Sequence, residues 1–390
     1  MTTRGVNFFE QHFLLSNRLV QLVLGLRPYQ NWNGQLITLC IITIFLFPGI
    51  FYQLYQLFIS NLTLQTIKEL QKTIPSIIMF IAYSISCLSF KTIKLIIIHF
   101  KLDYEELFDE EELNIMKEYT RETKLYAYSV IVFFNLYGIS IIFSSILNVF
   151  LYLFDILEDN QLTLINPVNN VSNASALFFS LLIYQIISSF IFLIVGSVFY
   201  STYLVFIQHA CCQFSVIILK IRQPFKKNQK CMENTWNDKS AREEWDWIID
   251  IIKRYRKVSE YIDLINRVSK INYLIAIFFA MILIAFDFIF LFHLYRESLN
   301  VIEIMESSFY ITASVFTTYI NFYIGQKLLN YNDAAFDELC NIPFYMLSIN
   351  TQKLLLFMIV RSGKPCVLSI GDMFVSSHEV FIGIESTETV

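Results

Sequence analysis

Few side chains in this sequence have chemistry to offer. The five histidines, His12, His99, His209, His293 and His378, are dispersed, and no two have metal-ligand spacing. The seven cysteines follow no zinc or disulfide pattern. Adjacent Cys211 and Cys212 read as helix-packing residues rather than a redox pair. No Gly-rich phosphate loop and no nucleophile elbow is present. The residues point away from an enzyme, imply no cofactor, and give no sign of nucleic-acid binding.

Three other features invite a function. Asp287 sits in the apolar run AMILIAFDFIFLFHLY. An acid at such depth is costly and must face protein or water. It reads either as an ion or ligand contact or as a hydrogen-bond partner of a nearby Ser, Tyr or Asn. Glu105, Glu106, Asp109, Glu110, Glu111 and Glu112 form an acidic run. It lacks the alternation and turn glycine of a calcium loop and reads as a solvated connection. Aromatic residues mix with small polar ones at four places: Tyr83 with Ser86, Phe134 and Tyr137 with Ser140, Tyr184 with Ser188, and Phe309 and Tyr310 with Thr312. Together they would suit a small apolar ligand, with hydrophobic walls and few polar groups. Helix packing alone accounts for any one of them. The expected ligand set is Tyr83, Ser86, Phe134, Tyr137, Tyr184, Ser188, Phe309 and Thr312.

Long apolar elements must position these residues. Apolar residues make up 55% of the 390-residue chain and charged residues 16%, against about 25% charged in a soluble domain. Such a composition, with little Gly or Pro, describes an all-α membrane protein. Six stretches can each cross a bilayer: roughly 35–59, 74–99, 125–154, 176–207, 272–295 and 304–328. A seventh, 366–384, is marginal, because Asp372, His378 and Glu379 lie within it. The whole chain reads as one transmembrane domain of seven helices. Within it, 208–271 forms a cytoplasmic loop and amphipathic helix, and 329–365 a cytoplasmic helix before the last span. Apolar Ile251, Ile252, Tyr255, Val258, Ile262 and Ile265 recur at helical spacing beside Arg254, Arg256 and Lys257. This stretch reads equally as a lipid- or subunit-facing helix and as an extension of the fifth span.

Charge sets the orientation. Of the 29 Lys and Arg residues, 26 fall on alternate segments that include the N-terminus, and segment 155–175 has none. The positive-inside rule puts the N-terminus in the cytoplasm and the C-terminus outside. The glycosylation acceptors Asn170 and Asn173 fall in segment 155–175, and Asn61 falls in another outer loop. No removable signal peptide is apparent, so the first span is expected to direct insertion. A receptor acting through G proteins needs the opposite orientation. A transporter predicts inverted repeats, and none is visible.

Several stretches resemble the insect odorant receptor family, in its ligand-tuned form. Leu24-Gly25-Leu26-Arg27-Pro28 is similar to the family's N-terminal motif, and Gln208-His209-Ala210-Cys211-Cys212-Gln213-Phe214 to its His-containing region after the fourth span. RYRKVSEYIDLI resembles the helix before the fifth span, with Tyr255 where a His is common. The C-terminal signature is matched by Phe344-Tyr345, the stretch Lys353 to Leu356, and Lys364-Pro365, with Phe344 in place of the usual Trp. The resemblance runs over nearly the whole chain.

The resemblance implies an odorant-binding subunit of a cation channel. It would assemble with the family's coreceptor as a heterotetramer in the plasma membrane of olfactory sensory neurons. Its ligand would be a small, volatile, hydrophobic molecule held among the second to sixth spans. Cytoplasmic helices would join the subunits, and the seventh span would line the pore. A gustatory receptor of the same superfamily is the alternative. In the family the last helix continues past a position like Ile384, whereas here Glu385 to Val390 are mostly small or acidic. The expectation is a truncated last helix and an incomplete pore lining.

Overall fold

The computed structural model describes residues 32–59, 64–105, 109–156, 158, 162–166, 168, 171–172, 175–228, 238–297 and 301–387. The motif at Leu24–Pro28 and the acceptors Asn61, Asn170 and Asn173 lie outside them. The described residues are overwhelmingly α-helical. The helices are α1 (Trp32–Ile59), α2 (Leu64–Leu88), α3 (Phe90–Glu105), α4 (Glu110–Leu153) and α5 (Ala176–Asn228). They continue with α6 (Asp238–Glu297), α7 (Val301–Cys340), α8 (Ile349–Ser362) and α9 (His378–Thr387). Strands β1 (Ser369–Ile370) and β2 (Phe374–Val375) form an antiparallel hairpin between α8 and α9.

The apolar surface is turned outward over part of the bundle. On α1, Ile42, Leu46 and Ile50 are buried at four-residue spacing, while Ile44, Phe47, Phe51 and Tyr55 are exposed. On α4, Val132, Leu136, Ile139, Phe143 and Phe150 are exposed. Water does not tolerate contiguous apolar faces of this extent. Lipid does, and it requires that backbone groups be paired within helices. Ala176–Pro224 and Arg242–His293 are each long and apolar enough to cross a bilayer. Thr73–Leu88 and Phe90–Tyr104 meet that test as a pair, bent by 75°.

That bend departs from the single span expected over 74–99. The cause is a change of pattern at Ser89. Beyond it, Ile93, Ile96, Phe100 and Tyr104 are buried while Lys91, Lys94, Leu95 and Leu102 are exposed. This one-sided face packs α3 against α6. The following connection is also less solvated than its acidic run suggests. Glu110 and Glu111 are exposed, but Glu112 is buried, 2.8 Å from Lys220 Nζ and 3.4 Å from Arg254 Nη2.

Helices α4, α5, α6 and α7 have 44, 53, 60 and 40 residues. At about 1.5 Å per residue each outruns a hydrocarbon core of about 30 Å. Their excess length gathers at the Lys- and Arg-rich end and builds the largest core. There α5 contributes Ile207, Cys211, Phe214 and Ile221, and α6 contributes Ile248, Ile251, Tyr255, Val258 and Ile262. Leu328 and Leu339 of α7 and Leu355 and Met358 of α8 complete it. Residues 238–271 thus run unbroken into the fifth span as the first part of α6, and Cys211 and Cys212 are buried packing residues.

The helix expected from Cys366 is replaced at its start by the β1–β2 hairpin. Gly371 and Asp372 both hold positive φ, at 62° and 60°. Consecutive positive φ values turn a chain back on itself and end helical winding. The hairpin is fixed to neighbouring helices. Gly371 N–H donates to Lys270 O (3.1 Å), and the Asn266 carboxamide bonds Val367 O and Ser369 N–H. The Lys270 ammonium pairs with Asp372. Helix α9 begins only at His378, whose N–H donates to Gln326 Oε1 on α7 (3.0 Å).

Candidate functional site

A cavity of about 290 Å³ lies among α2 to α7. That is near the lower end of small-ligand sites, which run from about 300 to 1,000 Å³. Its walls are mostly apolar. Pro75, Met79 and Ala82 come from α2, Phe133 and Phe134 from α4, Phe199 and Phe206 from α5, and Ala276 and Ile277 from α6. The helices can place these groups because each buries one stripe inward and leaves its remaining apolar side chains for lipid.

Most polar groups of the lining are engaged. Tyr200 Oη donates to Thr317 O across α5 and α7 at 3.2 Å. Thr202, Ser269, Thr317 and Thr318 donate to carbonyls of the preceding turn of their own helices. Asn321 Nδ2 does the same to Thr317 O, and Asn272 Nδ2 to Val268 O. Tyr273 Oη lies 2.8 Å from Ser376 Oγ, and Ser376 Oγ donates to Asn321 O at 3.3 Å. Ser376 has one proton, so Tyr273 is the donor to it. Tyr273 and Asn321 line the cavity, while Ser376 stands just before α9. A cavity wall is therefore hydrogen-bonded to the base of the last helix.

The structure places the expected ligand residues in four settings. Ser86 and Phe134 line this cavity. Tyr83 is buried behind it against Ile42, Leu46 and Ile50, with its ring edge-on to Phe199. Tyr184 and Ser188 line a separate cleft of about 340 Å³ beside α1, where both hydroxyls donate to Phe45 O. Phe309 and Thr312 are exposed on the outer face of α7, and Thr312 donates to Ser308 O. The side chain of Tyr137 lies outside the described residues.

Sequence reasoning missed Tyr200, Tyr203, Asn272, Tyr273 and Asn321. A usable signal was present in the two asparagines. A carboxamide within an apolar span must turn toward protein or a cavity. Asp287 obeys the same rule outside the cavity: it is fully buried and accepts from Gln71 Nε2 at 2.7 Å, tying α2 to α6.

No curated protein matches the chain in sequence. Two solved structures of the insect olfactory receptor OR5 from Machilis hrabei share its fold. The one in complex with eugenol has a TM-score of 0.73 and the other 0.74. Each match is at 9% identity and covers 97% of both chains. The model of the 7tm odorant receptor family matches residues 63–387. Sequence and fold agree, and the chain belongs to the 7tm odorant receptor family.

Proposed function

We propose that this chain is the odorant-binding subunit of a ligand-gated cation channel that it forms with the family's coreceptor. The observation that carries this reading is the apolar cavity of about 290 Å³ among α2 to α7. Its occupant is a small, mostly hydrophobic volatile molecule. Eugenol, bound by the Machilis hrabei receptor, is of that kind. Family membership supports a seven-span chain in the plasma membrane of olfactory sensory neurons. The bias of Lys and Arg supports a cytoplasmic N-terminus.

The exposed apolar side chains of Ile349, Leu356, Phe357 and Val360 on α8 support subunit assembly at the basic end. Ligand binding acts on the channel through the bonds that join Tyr273 and Asn321 to Ser376. Coexpression with a coreceptor, followed by current recording over a panel of volatile compounds, tests the reading. The expected result is a cation current evoked by at least one compound and absent from the coreceptor alone. A chain that reaches the membrane with the coreceptor yet changes no response to any compound overturns it.

A further inference from the structure

Two buried polar atoms of the cavity lining make no hydrogen bond of normal geometry among the described residues: Asn272 Oδ1, and Tyr203 Oη, which has the Ser269 hydroxyl nearby. They are not equivalent. A hydroxyl can donate or accept, so Tyr203 accommodates either kind of partner. The Asn272 carboxamide has less freedom. Its Nδ2 faces Val268 O, one turn back on α6, at 3.4 Å. Rotating the amide would set two oxygens against each other, so one N–H is committed to the helix and the amide's orientation is fixed. The unpaired atom is an oxygen and can only accept. Asn321 repeats the arrangement on α7, spending its Nδ2 on Thr317 O and leaving Oδ1 as an acceptor.

We infer that Asn272 makes the cavity selective for apolar ligands that carry a hydrogen-bond donor, the class of small alcohols and phenols. This inference rests on the cavity being the ligand site. A hydroxyl can donate to Asn272 Oδ1 and accept from Tyr203 Oη. A ketone, aldehyde or ester of the same skeleton can accept from Tyr203, but it offers no donor to Asn272 Oδ1, which stays buried and unpaired. Supplying a donor to a buried acceptor that otherwise stays unsatisfied should raise affinity roughly ten-fold or more. A hydrocarbon leaves both atoms unpaired and ranks last. The phenylalanine walls set size and shape, and the amide oxygen sets the functional group.

The test is binding of tritium-labelled 2-heptanol, 2-heptanone and heptane to the purified full-length chain in lipid nanodiscs, with empty nanodiscs subtracted. The wild type is expected to bind the alcohol at least ten-fold more tightly than the ketone. Asn272→Leu should bring the two within about two-fold. Tyr203→Phe removes the hydroxyl from which the ketone accepts and should widen the preference for the alcohol. It also provides a reading should Asn272→Leu fail to fold. Equal binding of all three compounds by the wild type overturns the selectivity and leaves the cavity reading intact. Retention of the alcohol preference in Asn272→Leu does the same. Binding of none of the three overturns the cavity reading and the selectivity with it.

Discussion

The cavity is walled mainly by apolar side chains, with Ser86, Asn272 and Asn321 among its few polar ones. Aromatic residues near small hydroxyls occur on both faces of these helices, and one sequence does not tell the inward face from the lipid face. Ser86 and Phe134 fell inward, while Phe309 and Thr312 point outward. The amides of Asn272 and Asn321 were the better markers, because hydrocarbon offers a carboxamide no partner. Size selection belongs to this scale too. A methyl group added at Gly196 would meet the tip of Met79, a flexible side chain that lines the cavity. Gly196→Ala should push Met79 inward, reduce the volume and shift preference to shorter ligands. Stability should change by less than about 1 kcal/mol, since a thioether side chain adapts easily. Dose–response curves over a homologous alcohol series would show the shift, and an unchanged chain-length optimum would contradict it.

The long helices were read correctly as elements because their apolar content persists over many turns. The hairpin was not. Two strands of two residues each carry no periodicity, and Val367, Leu368 and Ile370 look like the start of a span. The cue was the turn at Gly371 and Asp372. The bend at Ser89 was hidden for a related reason, since a change in which face is apolar leaves composition unaltered. Ser376 now stands as the joint between elements. Ser376→Ala removes both bonds at that joint and strands the buried Tyr273 hydroxyl, at a cost of about 1–3 kcal/mol. Amide exchange in β2 and the start of α9 should quicken. Evoked current should fall by a larger factor than ligand affinity. Equal losses in both would place Ser376 in the ligand site alone.

On the scale of the whole molecule, the bundle has an apolar half made for lipid and a basic half with a conventional core. The charge bias that separates them was visible in the sequence. That the excess helix length would pack into one core was not, because residues 208–271 read as a loop and an amphipathic helix when interhelical contacts are unknown. Glu112 secures this half by joining α4 to Lys220 of α5 and Arg254 of α6. Glu112→Gln should lower stability by about 1–3 kcal/mol, with the two cations partly hydrated. Thermal unfolding in detergent measures it, and a change within about 0.5 kcal/mol would assign the pair no structural weight. Epitope tags at the N-terminus should be inaccessible to antibody in intact cells; access there would reverse the orientation. The link from Tyr273 through Ser376 to α9 carries one more consequence. Thermodynamic linkage runs in both directions. If an occupant of the cavity biases the position of α9, then whatever restrains α9 must change the affinity of the cavity by the same factor. The neighbours of the last helix in an assembled channel would thereby become part of how sharply each odorant is detected.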